Sequence, residues 1–247
     1  MASIGRRFME ETTYGRMTAA DQAKGLSHPP VEREASGARV TLPGPKTVRP
    51  AYNDVVAVIE ERRSLREYAD RPLELAEISY LLWCTQGVKN TVGDGIATLR
   101  TVPSAGARHP FETTLLVNRV AELEAGLYRY QASSHSLITL EAPGGIAELL
   151  AAACLGQAMV QSSAACFIWI ADVYRTTWRY GERGYRYIHL DAGHVCQNLY
   201  LAAESIGAGA CAIGAFSDAD VNRLLGLDGV EQFAVYLAAV GKRVAAT

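Results

Sequence analysis

Three arginines and a serine stand close together shortly after a helical pattern. They are Arg62, Arg63, Ser64 and Arg66. Guanidinium and hydroxyl groups donate hydrogen bonds to anions, and several such donors together suit a phosphate. A basic helix end is, however, more often solvated or paired with a nearby carboxylate. By itself the cluster therefore indicates either a phosphate site or a solvated helix end.

A turn of small residues precedes a predicted strand. It comprises residues 103–110, and it begins with Pro103, Ser104, Ala105 and Gly106. Small side chains let the backbone approach a flat ligand closely, although glycines at such places also serve ordinary turns and bulges. Together with the basic cluster, the turn predicts a phosphate-bearing cofactor.

An aromatic and basic stretch, residues 178–186, follows a predicted central strand. Because the stretch is polar and interrupted by glycines, we expect a loop that can reach a bound cofactor. Tyr180 can transfer a proton there, whereas Arg179 carries a guanidinium that cannot readily accept a proton and can only bind or polarise an anionic substrate. The alternative is a gate loop or an interface stack without chemistry.

Two further sets of residues are weaker candidates for chemistry. One set consists of His189, Asp191, His194 and Cys196. On a helix too few of these side chains share a face to form a closed zinc site, so we expect hydrogen bonding and no metal. The other set is the five cysteines, which are odd in number and widely spaced and therefore predict reduced thiols packed in the core.

Length and composition set the class of the protein. The chain has 247 residues, 49% of them hydrophobic, and a net charge of -2. These values predict a substantial core and give no support for binding nucleic acid or an anionic membrane surface. The start lacks a continuous apolar run, and no stretch approaches the roughly 20 apolar residues of a membrane span, so we expect a cytoplasmic protein.

The pattern of the chain changes near residue 50. Residues 1–50 are predicted to be an extended N-terminal arm, because residues 18–50 contain scattered prolines and no apolar period. We expect the arm to drape over the domain or a partner subunit. Residues 51–247 form the predicted domain.

The elements of this domain follow from apolar periodicity and capping residues. The predicted helices are 52–64 with Asn53 as N-cap, 74–86, 146–154, 185–206 and a last one to Leu225 capped by Ser217. The predicted strands are 113–117, 126–130, 136–140, 164–173, 210–216 and 233–240. Since 164–173 is almost wholly apolar, we place it in the middle of the sheet.

Four motifs in this order resemble the FMN-dependent nitroreductase superfamily. They are the cluster beginning at Arg62, the turn at 103–110, the segment Ala-Ile-Gly-Ala-Phe at 212–216 and a Gly-Lys-Arg ending at Arg243. Residues 185–198 are similar to the SagB-type dehydrogenase branch, whose members include oxidases that aromatise azoline rings in modified peptides. The resemblance implies an α+β fold: a three-layer α/β/α sandwich with a mixed, mostly antiparallel sheet and a dimer interface that spans the domain.

The resemblance also implies a homodimer with FMN at the subunit interface. Arg62, Arg63 and Ser64 would bind the phosphate. Arg66 would face the pyrimidine edge of the flavin and stabilise the anion of the reduced ring.

Three other segments of the chain match positions around the flavin in this superfamily. Pro103 to Gly106 would border the ribityl chain and ring. Backbone N–H groups in the segment Ile213, Gly214 and Ala215 would approach the flavin N5 and O4. Lys242 and Arg243 would complete the phosphate cluster, although such a pair near a chain end is equally often a solvated tail.

Three functions stay open. The favoured one is an NAD(P)H-dependent reductase of nitro or quinone-type acceptors with a ping-pong mechanism; since no GxGxxG motif follows a predicted strand, NAD(P)H would bind transiently over the flavin. The second is a SagB-type dehydrogenase or oxidase that acts on a peptide or small molecule with oxygen as acceptor. In azoline-oxidising relatives a Lys-Tyr pair corresponds to Arg179-Tyr180, and the arginine puts azoline oxidation in doubt. The third is a non-catalytic flavin-binding scaffold protein.

Overall fold

The computed structural model describes residues 3–93 and 95–244. The helices within these residues are α1 (Ile4–Glu11), α2 (Val55–Glu61), α3 (Leu75–Gln86), α4 (Ile146–Ala153), α5 (Met159–Ser162), α6 (Val173–Tyr180), α7 (Gly184–Ser205) and α8 (Asp218–Leu224). The strands are β1 (Arg39–Thr41), β2 (Val88–Val92), β3 (Ala97–Arg100), β4 (Phe111–Val117), β5 (Gly126–Gln131), β6 (Ser136–Leu140), β7 (Ala165–Asp172), β8 (Ala208–Ile213) and β9 (Gln232–Lys242). None of these helices combines the length and the apolar character that crossing a bilayer requires.

One seven-stranded sheet carries the fold. Its order is β1-β6-β5-β4-β7-β9-β8, every neighbouring pair is antiparallel, and β2 and β3 form a separate hairpin. The predicted meander is confirmed by β4, β5 and β6. The predicted central strand is β7, which is buried along its whole length between β4 and β9. A single parallel bridge from Ser64 to Ala210 lies beside β8.

Helices cover both faces of the sheet. Since side chains alternate along a strand, Trp169 of β7 packs in the cluster that contains α3 and α7, while its neighbour Ile168 packs in the cluster that contains α4 and α8. The predicted three-layer α/β/α sandwich with a mostly antiparallel sheet is therefore confirmed.

The longest helix, α7, begins and ends within one residue of its predicted bounds. Its inner face buries Ile188, Val195 and Leu199 against the sheet. Its outer face carries Leu190, which is 60% exposed. The helices α3 and α6 also pack against α7, whereas the face that carries Leu190 is exposed within one chain.

The first helix of the domain, α2, differs from the prediction at both ends. Its N-cap is Asp54 instead of Asn53, because the Asp54 carboxylate accepts hydrogen bonds from the backbone N–H groups of Val56 and Ala57. The helix ends at Glu61, three residues before Ser64. The predicted apolar stripe is more than half exposed at Val55, Val56 and Ile59.

The N-terminal arm is less extended than its composition predicts. Residues 3–50 include the helix α1, and β1 pairs with β6 at the edge of the main sheet. The helix α1 was not predicted, although Ile4 and Phe8 are spaced as on one face of a helix. The arm does lie along the domain, as in the hydrogen bond from Arg33 N–H to the Glu112 carboxylate at 2.9 Å.

The stretch predicted as a loop at 178–186 is helical. It contains the end of α6, a short 3₁₀ helix at Gly181–Arg183 and the start of α7. Trp178 is buried, so it belongs to the packed face of α6. Only Gly181, with φ +53°, interrupts the two helices.

Candidate functional site

The basic cluster lies beside the edge strand β8. Arg62 is the C-cap residue of α2, and Ser64 makes the parallel bridge to Ala210. Leu65 N–H donates to the Ala210 carbonyl at 2.9 Å. Because backbone bonds fix the segment along the strand, the arginine side chains extend from a rigid support.

Tyr200 of α7 joins the basic cluster to β8. Its hydroxyl accepts from Ala212 N–H at 2.8 Å and lies 2.9 Å from Ser64 Oγ. The Arg62 guanidinium lies over the Tyr200 ring, 5.3 Å from its centroid. When Tyr200 donates its proton to Ser64 Oγ, the Ser64 O–H is free to donate to an anion. Sequence reasoning missed Tyr200, since it is one of many aromatic residues in a long helical pattern.

The charges near β8 fall into two groups. Among the residues that the structure describes, Arg62, Arg63 and Arg66 form no ion pair. By contrast, Lys242 pairs with Glu77 of α3, and Arg243 pairs with Glu204 of α7. The predicted phosphate donors before β8 are therefore available for a ligand, while the predicted pair at the end of β9, Lys242 and Arg243, is already neutralised.

The far end of β8 carries the predicted small-residue segment. Ile213 is buried as the last residue of the strand, and Gly214 and Ala215 are exposed. A Cβ on Gly214 would lie 3.6 Å from the Tyr236 ring, and Gln157 Nε2 donates to the Ala215 carbonyl at 2.8 Å. Ala210 and Ile213 are roughly 10 Å apart at about 3.3 Å per residue. One strand thus connects the basic cluster to the exposed small residues.

The turn at 103–110 is attached to α7 by Asp191. Ser104 Oγ donates to Asp191 Oδ2 at 2.5 Å, and Ala105 N–H donates to Oδ1 at 3.2 Å. Burial raises the pKa of Asp191 against the effect of these two hydrogen bonds. Ser104 Oγ also accepts from His109 N–H at 2.9 Å. Asp191, which the sequence offered as a possible metal ligand, therefore fixes the turn.

Within the described residues, no group of three or more His, Cys, Asp or Glu side chains is arranged to hold a metal ion. His189 is exposed, and its Nδ1 lies 2.8 Å from the Tyr185 carbonyl. Four of the five cysteines are buried, as predicted, and Cys84 is half-buried. Burial raises the pKa of Cys196 to about 12, which keeps this thiol protonated and poorly nucleophilic.

The structure brings the predicted catalytic pair against the turn. Gly106 has φ +57°, and a Cβ there would lie 2.5 Å from the Tyr180 hydroxyl and 2.8 Å from Arg179 Nε. The Arg179 guanidinium lies 5.6 Å from the centroid of the Tyr180 ring. Arg179 is exposed and Tyr180 half-buried at the end of α6. Only glycine fits at 106, because any side chain would displace the pair.

Helix α7 separates the two halves of the candidate site. Asp191, which holds the turn, and Tyr200, which contacts the basic cluster, are nine residues apart. At about 100° per residue they differ by roughly 900°, which is half a turn beyond two full turns. Within one chain the turn with Arg179-Tyr180 and the basic cluster with β8 therefore lie on opposite faces of α7.

Comparisons with a family model, with curated proteins and with solved structures all find similarity to nitroreductases. The family model described as the nitroreductase family matches residues 59–242. Over 187 residues the chain is 37% identical to a protein of Methanocaldococcus jannaschii whose name assigns it provisionally to the nitroreductases, covering 76% of this chain and 90% of that protein. Over 122 residues it is 34% identical to the trifolitoxin-processing protein TfxB of Rhizobium leguminosarum bv. trifolii, covering 48% of this chain and 33% of TfxB.

Among solved structures, a protein of Anabaena variabilis, also named provisionally as a nitroreductase, superimposes with a TM-score of 0.70 at 30% identity. The match covers 84% of this chain and 42% of the Anabaena protein. The chain thus spans less than half the length of the Anabaena and Rhizobium proteins and nine-tenths of the Methanocaldococcus protein.

Proposed function

Since the chain belongs to the nitroreductase family of oxidoreductases, we propose that it binds FMN and reduces nitro or quinone-type acceptors with NAD(P)H. The family generally binds flavin, and the residues present fit the phosphate of FMN. The observation that carries this proposal is the set of three arginines next to Ser64 that have no carboxylate partner among residues 3–93 and 95–244. A dianionic phosphate would supply the missing counter-charge.

A second copy of the chain would complete the site. Members of the family are typically homodimers, and in one chain α7 stands between the basic cluster and the turn at 103–110. In a homodimer the cluster of one protomer would face the turn of its partner. Two exposed apolar surfaces suit such an interface: Leu190 on the outer face of α7, and the stripe formed by Val55, Val56 and Ile59 on α2.

Each protein group has a defined task in this proposal. Bound FMN would supply two-electron hydride chemistry and allow a ping-pong mechanism. Arg62, Arg63 and Ser64 would hold its phosphate, and Arg66 would offer a positive charge to the ring. The exposed Gly214 and Ala215 leave room for a flat group beside β8. Lys242 and Arg243, occupied by Glu77 and Glu204, would act at most through their electric field.

Tyr180 and Arg179 would serve the substrate. Tyr180 would hold and move a proton at its Oη, and Arg179, exposed and without an ion pair among the described residues, would bind an anionic group of the substrate. These roles match the chemistry of the two side chains, because a phenol can donate a proton near neutral pH and a guanidinium cannot accept one.

The similarity to TfxB favours a second candidate. The chain would then be a SagB-type dehydrogenase that oxidises a peptide or small molecule and passes the electrons to oxygen. TfxB is named as a toxin-processing protein, and 48% of this chain matches it. Arg179 stands where the azoline-oxidising relatives have a lysine, and this difference argues against azoline oxidation by this chain.

Anaerobic stopped-flow spectroscopy of the purified protein tests these functions. Rapid bleaching of the flavin absorbance by NADH or NADPH, followed by reoxidation with a nitro compound or quinone, is the expected result. Bleaching by a peptide or small-molecule donor and not by NAD(P)H would favour the SagB-type function. A flavin that no donor bleaches would indicate a scaffold role, and a protein that binds no FMN would refute the proposal.

Tyr180→Phe is expected to retain FMN and to slow turnover by about 100-fold, the lower end of the contribution of a general acid. The change removes one hydroxyl and keeps the ring that packs edge-on against Tyr187, with centroids 4.8 Å apart. Steady-state kinetics with a proton-requiring acceptor measures the loss. Turnover equal to that of the parent protein would exclude a proton-transfer role for Tyr180.

A further inference from the structure

The N-terminal arm encloses the end of α6, where Arg179 and Tyr180 lie. Gln22 N–H donates to the Trp178 carbonyl at 2.8 Å, and Trp178 Nε1 donates to the Leu26 carbonyl at 3.0 Å. The first of these bonds satisfies a carbonyl that the helix end leaves without an internal partner. Met17 reaches Gly181, since a Cβ placed there would lie 3.1 Å from Met17 Cε.

Tyr14 of the arm contacts the aromatic group next to Tyr180. Its hydroxyl lies 2.8 Å from the Tyr187 hydroxyl, and the Tyr187 ring packs edge-on against Tyr180 with centroids 4.8 Å apart. The Arg183 guanidinium lies 4.3 Å from the centroid of the Tyr14 ring and donates to the Tyr187 hydroxyl at 2.7 Å. Tyr14 is thus linked to Tyr180 indirectly, through the ring of Tyr187.

Arg183 and Arg186, at the start of α7, attach the arm by hydrogen bonds to its carbonyl and hydroxyl oxygens. Arg183 donates to the Thr12 carbonyl at 2.8 Å, and Arg186 donates to Thr12 Oγ1 at 2.6 Å and to the Met9 carbonyl. Thr12 is buried although it lies in the arm. Together with the contacts of Tyr14, Met17, Gln22 and Leu26, these bonds attach the arm to the rest of the chain at several points between residues 9 and 26.

We propose that residues 9–26 of the arm form one wall of the active site, with Tyr14 as a positioning residue that holds Tyr187 against Tyr180. This inference rests on the proposed function, in which Tyr180 transfers a proton to the substrate. Tyr14 itself touches neither Tyr180 nor Arg179. Its effect is to restrict where the Tyr180 ring and hydroxyl can lie beside Gly106.

The arrangement predicts a change in turnover and not in cofactor binding. Tyr14 lies on the side of α7 that carries the turn, away from the basic cluster assigned to the phosphate. Tyr14→Ala removes the hydroxyl contact and the ring over Arg183, and Tyr14→Phe removes only the hydroxyl contact. We expect kcat to fall about five- to tenfold in Tyr14→Ala and about two- to fivefold in Tyr14→Phe, with KM for NAD(P)H and the Kd for FMN unchanged.

Hydrogen–deuterium exchange on the full-length protein tests the same contact without catalysis. Peptides covering 176–187 are expected to exchange faster in Tyr14→Ala than in the parent protein, with Tyr14→Phe between them. Ile4→Ala is the matched control, because Ile4 lies in the same arm and is 85% exposed. It is expected to leave both the exchange and the kinetics unchanged.

The outcomes separate this inference from the proposed function. The inference is overturned if peptides covering 176–187 exchange in Tyr14→Ala at the same rate as in the parent protein. It is also overturned if their exchange is faster while kcat is unchanged. A loss of FMN affinity with unchanged kcat also overturns it, since the arm would then support the cofactor and not Tyr180. A parent protein that binds no FMN and shows no turnover refutes the proposed function, whereas the exchange data still report whether Tyr14 holds this segment.

Discussion

Replacing Arg62 and Ser64 together with alanine is expected to lower the affinity for FMN by at least about 100-fold while the chain remains folded. Each side chain would donate a charge-assisted hydrogen bond to the phosphate, worth about 1.5–3 kcal/mol. Losing both removes about 3–6 kcal/mol, and 1.4 kcal/mol corresponds to a tenfold change in Kd. Titration of the apoprotein with FMN, followed by flavin fluorescence, measures the affinity.

Fold retention is expected because neither side chain supports the core. Ser64 is exposed, Arg62 is half-buried at a helix end, and the backbone bond from Leu65 to Ala210 is unchanged by the substitutions. Arg223→Ala is the matched control, since it removes an arginine whose side chain is 71% exposed on α8 and far along the chain from the cluster. An FMN affinity equal to that of the parent protein would refute the assignment of the phosphate site.

The helices and strands could be predicted from the sequence wherever burial imposes a regular pattern of apolar residues. Strand β7 is apolar at nearly every position because both its faces are covered, and it reads as central from sequence alone. Ser217 was identified as a cap because a hydroxyl before a helix accepts from a free N–H, here that of Asp220 at 3.4 Å. These signals are local, and so the elements they define agree with the structure.

Elements that depend on distant partners were predicted poorly. The end of helix α6 was predicted as a loop because residues 178–186 are polar and interrupted by glycines. The helix buries Arg175, which is accommodated because Glu112, more than 60 residues earlier, and Asp172 both pair with it. The helix α1 was missed for a related reason: its attachment relies on Arg183 and Arg186 on the far side of the chain.

In the candidate site, too, local features could be predicted from the sequence and tertiary contacts could not. The basic cluster and the turn could be identified from the sequence, since closely spaced arginines and runs of small residues are visible there without a structure. Their supports could not, because Asp191 and Tyr200 act through tertiary hydrogen bonds from a long helix. The pairing of Lys242 with Glu77 could not be predicted either, since the two residues are 165 positions apart in the chain.

Glu112→Ala is expected to lower the free energy of unfolding by about 3–5 kcal/mol, because it breaks the buried ion pair with Arg175 and leaves that charge with only Asp172, 3.4 Å away. Glu112 is 2% exposed in β4, where its carboxylate pairs with Arg175 and accepts from Arg33 N–H at 2.9 Å. Arg129 Nη1 lies 3.8 Å from the second carboxylate oxygen. Denaturant unfolding at fixed FMN concentration measures the loss. Glu10→Ala, which breaks an exposed ion pair with Arg16, is expected to change stability little.

The same carboxylate makes stability depend on pH in the acid range. Burial raises the pKa of Glu112, but the charges of Arg175 and Arg129 and the hydrogen bonds it accepts outweigh burial and hold the pKa below its ordinary value. Because the folded pKa lies below the unfolded one, the stabilisation is fully present above the unfolded value near 4.5 and is lost as the pH falls through the folded value. Glu112→Gln keeps the shape and removes the titration, so its unfolding free energy should fall less steeply than that of the parent protein below pH 4.5. Equal slopes for the two proteins in that range would show that Glu112 does not carry this dependence.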